Sequence, residues 1–215
     1  MVNVFPLMSE TYGVAEERFA VWQTAAVRAM LATSLLFAAC CLALGDEIVR
    51  SLYDGDFDPA ATVLRIFGVN VVFLSLIGVF WRSLVARGRQ GVNLQLQAIS
   101  VALRLASGIG LIAPLAAVGA AISSGISALV HAVLLIRATT RSGAPEAILR
   151  VGWRFALAAA ASGTTMWLLA GSIPLPMALI AGSLEYGALS LLLGAVTPDD
   201  RRLAEPLARR FSRRA

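Results

Sequence analysis

Six long apolar runs, separated by short polar or charged connections, constrain this chain more than any other feature of its sequence. A helix needs roughly 20 mostly apolar residues to cross the hydrocarbon core of a bilayer. Backbone groups in lipid must be hydrogen-bonded within the segment, so each run is predicted to be a helix. With 58% hydrophobic and 14% charged residues, the chain is predicted to be an all-α, polytopic membrane protein with six transmembrane helices. The runs are 24–44, 60–86, 92–112, 115–136, 153–170 and 175–196.

The connections between the runs alternate in charge. The second and fourth connections and the C-terminal tail are rich in arginine, whereas the third and fifth are uncharged. Because arginine-rich segments stay on the cytoplasmic side, the pattern predicts a multi-pass membrane protein with both termini in the cytoplasm. The net charge of +5 follows from this placement and does not indicate nucleic-acid binding. The first connection is acidic and carries Asp46, Glu47, Asp54, Asp56 and Asp58.

The runs also divide the chain into predicted regions. The tail contains Leu203, Leu207 and Phe211 at intervals of four. This spacing fits a helix lying on an anionic membrane surface, and a solvated tail is the open alternative. The regions are 1–22, the cytoplasmic end of a preceding helix with a surface segment; 23–136, four spans; 137–152, a cytoplasmic loop; 153–196, the last two spans; and 197–215, the basic cytoplasmic tail.

Four short motifs follow one another in order along the first half of the chain. They are Phe-Pro-Leu-Met-Ser at 5–9; a Gly and a Phe before an Ala-rich helix start ending in Leu-Arg-Ile, at 52–66; Leu-Val-Ala-Arg-Gly-Arg-Gln at 84–90; and Leu-Ile-Ala-Pro followed by Val-Gly-Ala-Ala-Ile, at 111–122. In this order and spacing they resemble the polysaccharide and oligosaccharide flippases of the multidrug/oligosaccharidyl-lipid/polysaccharide flippase superfamily. The resemblance covers the C-terminal part of such proteins, from the end of the eighth helix. Residues 140–215 match only in having two helices in the expected place.

This resemblance implies one lobe, with two extra helices, of a two-lobed flippase fold. Residues 23–136 would form the four-helix part of the C-terminal lobe. The implied function is translocation of polyprenyl-pyrophosphate-linked oligosaccharide across the bacterial cytoplasmic (inner) membrane in polysaccharide biosynthesis, with no enzymatic step and no cofactor. The implied partners are membrane lipids, the lipid-linked oligosaccharide, and a missing N-terminal lobe from a larger flippase or a partner subunit. Alternating access needs two lobes, so an accessory or scaffold protein of a polysaccharide assembly complex and a multidrug exporter fragment stay open as alternatives.

Two charged residues fall near the middle of predicted spans, Arg104 on the third and Glu185 on the sixth. A charge at that depth costs roughly 2.5–3.5 kcal/mol on insertion scales, so such residues are suspected of a structural or functional role. Their similar depth permits an ion pair. In the alternative interpretation Arg104 binds the anionic head group of the lipid-linked sugar and Glu185 binds a coupling cation or proton. Arg104 stands where the resembled family often has a small or amide residue. Arg65, near the outer end of the second span, either snorkels to the interface or faces a lipid-linked pyrophosphate.

Uncharged polar residues form a further set of candidates. Asn70, Gln95 and Gln97 are candidates for lining a hydrated cavity, and the two glutamines lie close to the predicted cytoplasmic interface. His131 is the only histidine and has no carboxylate at metal-ligand spacing, so it is assigned to packing and no metal site is predicted. Small residues recur every four positions in the fourth run, which favours close helix packing over a substrate groove. They are Gly119, Ser123 and Ser127, together with Ala121 and Gly125.

Overall fold

Five helices make up the part of the chain that the structure, a computed structural model, describes: residues 16–53, 58–139 and 144–195. The apolar runs explain these helices, because leucine and alanine favour helix and no β-branched run interrupts them. The second and the fifth helix each have a proline in the first turn. A backbone N–H has no hydrogen-bond partner within the helix at this position, so proline costs nothing there. The helices are α1 Glu16–Leu52, α2 Asp58–Ala86, α3 Gln90–Thr139, α4 Ala144–Leu169 and α5 Leu175–Leu192.

Four stretches of these helices are long and apolar enough to cross a membrane. This agrees with the predicted all-α, polytopic membrane architecture. The described residues contain five helices and not six, because the third and fourth apolar runs both lie within α3. The fifth apolar run forms α4, which is not among the four stretches. The stretches are Val21–Leu52, Pro59–Ala86, Gln90–Thr139 and Leu175–Leu192.

The long helix α3 is folded back on itself near Pro114. Ala116 has φ 47° and ψ −123°, which interrupts the helical dihedral angles. Beyond it the chain returns, so that a Cβ atom added to Gly119 would overlap the carbonyl of Leu111. These two residues would lie about 12 Å apart in a straight helix. α3 is therefore a hairpin of two antiparallel arms, called here arm A, 90–115, and arm B, 117–139.

Ala116 adopts a backbone conformation that is costly for an L-residue. Its dihedral angles are those of the first central residue of a type II′ turn, a position that favours glycine. We expect Ala116→Gly to raise the free energy of unfolding by about 1 kcal/mol, because a left-handed penalty of about 1–2 kcal/mol is removed and only partly offset by the freedom of glycine in the unfolded chain. Denaturant titration in detergent micelles measures the change. Ala113→Gly is the control and should lower stability; equal losses in both variants would contradict a strained turn.

The central element of the bundle is α1. It packs against α2, α4 and α5, whereas α3 packs mainly on α2. The largest core cluster joins Leu31 of α1, Phe80 of α2, Leu135 of arm B and Phe155 of α4, all of them buried. We call the end of the bundle at the α1–α2 connection the acidic end and the end at the α2–α3 connection the arginine end, after the charges found there.

Two predicted region boundaries differ from the structure. α1 begins at Glu16, so residues 16–22 continue the first spanning helix. The predicted loop 137–152 is largely helical, since α3 extends to Thr139 and α4 begins at Ala144. The physical reason is that arginine is a good helix former, so a helix continues past the apolar run into charged sequence. The predicted tail helix falls outside the described residues.

Candidate functional site

A polar stripe runs along arm A, and its serines contact arm B. Ser100 Oγ donates to the carbonyl oxygen of Ser127 at 3.3 Å. Ser107 Oγ and Ser123 Oγ form a hydrogen bond of 2.7 Å, and Ser123 Oγ also lies 2.9 Å from the Arg104 carbonyl oxygen, to which it donates. These contacts hold the two arms in register within the apolar span. The stripe consists of Asn93, Gln97, Ser100, Arg104 and Ser107, at alternating spacings of four and three.

A groove of about 580 Å³ opens beside this stripe, in the half of the hairpin nearer the turn at Ala116. Arg104 and Ser123 supply its polar side chains, and the other positions are glycine, alanine, leucine or isoleucine. Arg104 is exposed, and no carboxylate forms an ion pair with it in the part of the chain described. Its ten-residue distance from Pro114 corresponds to about 15 Å along arm A. The groove therefore presents a permanent positive charge within an apolar span, a favourable arrangement for an anion.

Glu185 lies elsewhere in the bundle. It belongs to α5, which packs on α4 and α1, whereas Arg104 belongs to arm A of α3, which packs mainly on α2. The structure does not bring these two residues together, and no ion pair joins them in the described ranges. Similar depth along two helices was the basis of the predicted pair, but depth does not determine which helices are neighbours.

Asn70 is buried between two helices and does not line a cavity. Its side chain is 3% exposed, and its Nδ2 donates to the carbonyl oxygen of Ala121 in arm B at 3.1 Å. Gly125 of arm B allows this close approach, because a Cβ there would overlap Asn70 Oδ1. The predicted close packing of small residues is confirmed here and at Gly119. The predicted cavity role of Asn70 is replaced by a structural one, a hydrogen bond that fastens arm B to α2.

We expect Gly125→Ala to lower the free energy of unfolding by about 1–3 kcal/mol, because the new methyl group displaces Asn70 from its hydrogen bond. Asn70→Ala combined with Gly125→Ala should recover part of this loss, since the overlapping oxygen is gone. A double-mutant cycle from denaturant titrations measures the coupling. Gly187→Ala is a matched control, as a Cβ at Gly187 meets no atom within 4 Å. Additive losses without coupling would contradict the contact.

The two predicted cavity glutamines are exposed on arm A. Gln97 lies on the polar stripe with Arg104, two helical turns nearer the arginine end. Gln95 lies on the other side of arm A, because nine residues rotate a helix by about two and a half turns. Only Gln97 is therefore placed on the same side of arm A as Arg104.

Arg65 forms an ion pair at the acidic end. Its Nη2 lies 2.6 Å from Asp46 Oδ2 of α1, and both side chains are partly exposed. α1 departs from helical geometry at Leu44. The aliphatic part of the Arg65 side chain crosses the next residue, Gly45, and Arg65 Cγ would lie 3.1 Å from a Cβ atom added there. An exposed pair of this kind contributes about 0–1 kcal/mol. Arg65 thus has a counter-charge within the chain, which Arg104 lacks in the described residues.

A second groove, of about 430 Å³, lies between α1 and α4. Alanine and glycine line most of it, and Trp167 closes one side. Its walls carry almost no hydrogen-bonding groups, so a lipid acyl chain would fit this groove better than a polar ligand.

Sequence comparison places these features in a family. The chain matches the family of the lipid II flippase MurJ over residues 1–193. The chain belongs to the lipid II flippase MurJ family. Neither the curated proteins nor the solved structures contain a match to it.

The MurJ family match confirms the superfamily and the transporter class predicted from the sequence. The family lies within the flippase superfamily that the four motifs indicated, and its members are transporters, not enzymes. A multi-pass protein of the inner membrane is consistent with both the family and the apolar helices. The oligosaccharide and polysaccharide branch suggested by the motifs is not confirmed, since the match is to the lipid II branch.

Proposed function

We propose that this chain takes part in moving a lipid-linked precursor, lipid II, across the cytoplasmic membrane. The observation that supports this most strongly, beside the MurJ family match over residues 1–193, is the groove beside Arg104. A flippase must carry a charged, hydrated head group through an apolar layer. A mid-span arginine without a counter-charge in the described residues, next to a row of hydroxyl groups, provides an attractive site for an anionic head group.

The proposed topology has six crossings with both ends in the cytoplasm. Arms A and B, of 26 and 23 residues by the ranges above, are about 39 and 35 Å long, and each exceeds a hydrocarbon core of about 30 Å. Counted separately, and with α4 of 26 residues added, they bring the crossings to six. The arginine end would then face the cytoplasm and the acidic end the outside, in line with the positive-inside rule.

Arm A is proposed to line the cavity between two lobes. It packs on arm B and α2, and its other sides are open, with Leu105 64% and Ile109 81% exposed. A wholly lipid-facing side would carry no arginine at mid-span. A second lobe, from a larger flippase or a partner subunit, would close this side and leave water around Arg104. The head-group pyrophosphate would bind Arg104, and Gln97 would lie along its path from the arginine end.

The proposed cargo is lipid II, and an oligosaccharide carried on the same kind of lipid is the alternative. Both carry a polyprenyl pyrophosphate, so Arg104 would recognise the part that they share. The family match favours lipid II. The sugar-specific contacts would come from residues other than those of this groove.

Complementation tests the proposal. A bacterial strain depleted of its lipid II flippase receives the chain alone, the chain with the N-terminal lobe of a MurJ family member, or the latter pair carrying Arg104→Gln. We expect growth from the two-lobe pair and none from its Arg104→Gln form. Failure of every two-lobe pair would contradict the proposal. Rescue that is independent of Arg104 would instead support the accessory role, and rescue only of a strain lacking an oligosaccharide-lipid flippase would favour the alternative cargo.

A further inference from the structure

Two buried side chains of the α3 hairpin each carry a polar atom to which no described residue forms a hydrogen bond. Asn93 of arm A is 7% exposed, and His131 of arm B is 3% exposed. Asn93 Oδ1 and His131 Nε2 are both buried and have no hydrogen-bond partner among the described residues. Because a buried polar atom is costly to leave unpaired, nearly all such atoms in folded proteins bond either to protein or to ordered water.

Two hydrogen bonds establish how arms A and B lie against each other toward the arginine end. Ser100 Oγ donates to the Ser127 carbonyl oxygen at 3.3 Å, and Arg89 Nη1, just before arm A, donates to the Ala138 carbonyl oxygen at 3.2 Å. Positions 89 and 100 are eleven residues apart, and so are positions 127 and 138. Both bonds therefore agree on one antiparallel register for this part of the hairpin.

Asn93 and His131 lie between these two hydrogen bonds. Asn93 precedes Ser100 by seven residues and His131 follows Ser127 by four, so each stands on nearly the same side of its arm as that serine. In this register His131 lies opposite position 96. Asn93 is therefore three residues away from it along the hairpin, which corresponds to about 4.5 Å. The two unpaired atoms share one buried seam between the arms.

Apolar packing encloses this seam. Leu96 of arm A packs against the core cluster to which Leu135 of arm B belongs. Neither Asn93 nor His131 lines the groove beside Arg104. The seam is thus separate from that groove, and a ligand that fits between the arms must be small.

We propose that the seam binds a water molecule that bridges Asn93 Oδ1 and His131 Nε2. The Asn93 oxygen only accepts hydrogen bonds, so its partner must supply a hydrogen. Nε2 of a histidine donates or accepts according to which ring nitrogen carries the proton, and water satisfies either case. A metal ion fits poorly, because it needs several ligands and the described residues contain no group of three His, Cys, Asp or Glu side chains.

The bridging water would hold arms A and B together toward the arginine end, as the bond between Ser107 and Ser123 does nearer the turn. It would also place a water molecule inside an apolar span, on the arginine-end side of Arg104. The site goes beyond the proposed function and does not depend on it.

Solid-state NMR of the full chain in lipid vesicles tests the site. His131 is the only histidine, so isotopic labelling of histidine ring nitrogens reports on this residue alone in a protein without a histidine tag. The experiment transfers magnetisation from water protons to the labelled nitrogens. We expect transfer to His131 Nε2 in the native chain and its loss in Asn93→Leu, which removes one of the two groups that hold the water.

Gln95→Leu is the matched control, because Gln95 is an exposed amide two residues away on the other side of arm A. It should leave the transfer unchanged. Absence of transfer in the native chain would overturn the proposal, since the seam would then be dry. Transfer that persists in Asn93→Leu, or that is lost equally in Gln95→Leu, would overturn it too, because Asn93 would not be holding the water.

A second measurement needs no substitution. Synchrotron radiolysis produces hydroxyl radicals from water that is bound inside a protein, and these radicals oxidise the nearest side chains. We expect mass spectrometry to find oxidation of His131 despite its burial, and little on Phe155, an oxidisable side chain that is 2% exposed and lies in the apolar core. Oxidation of His131 that is no faster than that of Phe155 would contradict the bound water.

Discussion

Gly119→Ala is expected to prevent α3 from closing into its hairpin and to cause the largest loss of stability of any alanine substitution at a glycine that the structure describes. A Cβ at Gly119 would overlap the backbone carbonyl of Leu111, and a backbone group cannot rotate away as the end of a side chain can. Adding volume to a packed contact costs typically about 1–3 kcal/mol, and an overlap with backbone falls at or above the upper end. The arms must then separate, which breaks the hydrogen bonds of Ser107 and Ser123.

The same substitution at Gly110 is a matched control. Gly110 lies on arm A one residue before Leu111, and a Cβ there meets no atom within 4 Å. We expect Gly110→Ala to leave stability unchanged or to raise it by up to about 1 kcal/mol, because alanine favours helix over glycine. Denaturant titration and size-exclusion chromatography in detergent compare the two variants. Equal behaviour of both would mean that arms A and B do not meet at Gly119.

Arg104→Gln is expected to give the largest loss of transport. A charge-assisted hydrogen bond contributes about 1.5–3 kcal/mol, so removing the guanidinium should lower the rate of lipid II translocation in two-lobe proteoliposomes by about tenfold to a hundredfold. Arg104→Lys keeps the charge but loses the planar pair of donors, and it should retain an intermediate rate. The amount of folded protein should change little, since the Arg104 side chain is exposed and unpaired in the described residues.

Arg137→Gln separates this effect from a general loss of positive charge. Arg137 lies in the last turn of α3 and outside the groove. Its replacement should leave the translocation rate within about twofold of the native rate, an effect below roughly 0.5 kcal/mol. If both variants transport equally well, the groove beside Arg104 is not on the path of the head group.

Helices and their order were predictable from the sequence, because apolar length alone determines what a lipid bilayer accepts. Pro114 also indicated the break between the third and fourth runs. The close contact of Leu111 with Gly119 was harder to predict from the sequence. It depends on the dihedral angles of Ala116, and an alanine at that position does not indicate a turn. The small-residue spacing around Gly119 nevertheless indicated that something must approach closely there.

The candidate site was predictable only in part. Arg104 was found because a charge at mid-span is costly, and the polar stripe around it could have been recognised from its alternating spacing of four and three. The ion pair with Glu185 was not reproduced, because depth along a helix does not specify its neighbours. Asn70 was interpreted as a cavity residue, although its partner, Ala121, lies 51 residues further along the chain. Its role depends on how arm B returns to α2, and no local pattern contains that information.

Photocrosslinking to lipid II tests the central claim most directly. A benzophenone residue replaces Ile109, which lines the groove and is 81% exposed, or Leu129, which lies on arm B outside the groove and is 45% exposed. In the two-lobe protein during transport, position 109 should crosslink to lipid II, position 129 should not, and Arg104→Gln should abolish the adduct at 109. Crosslinking at 129 but not at 109, or an adduct at 109 that is unchanged in Arg104→Gln, would contradict a head-group site in the hairpin groove.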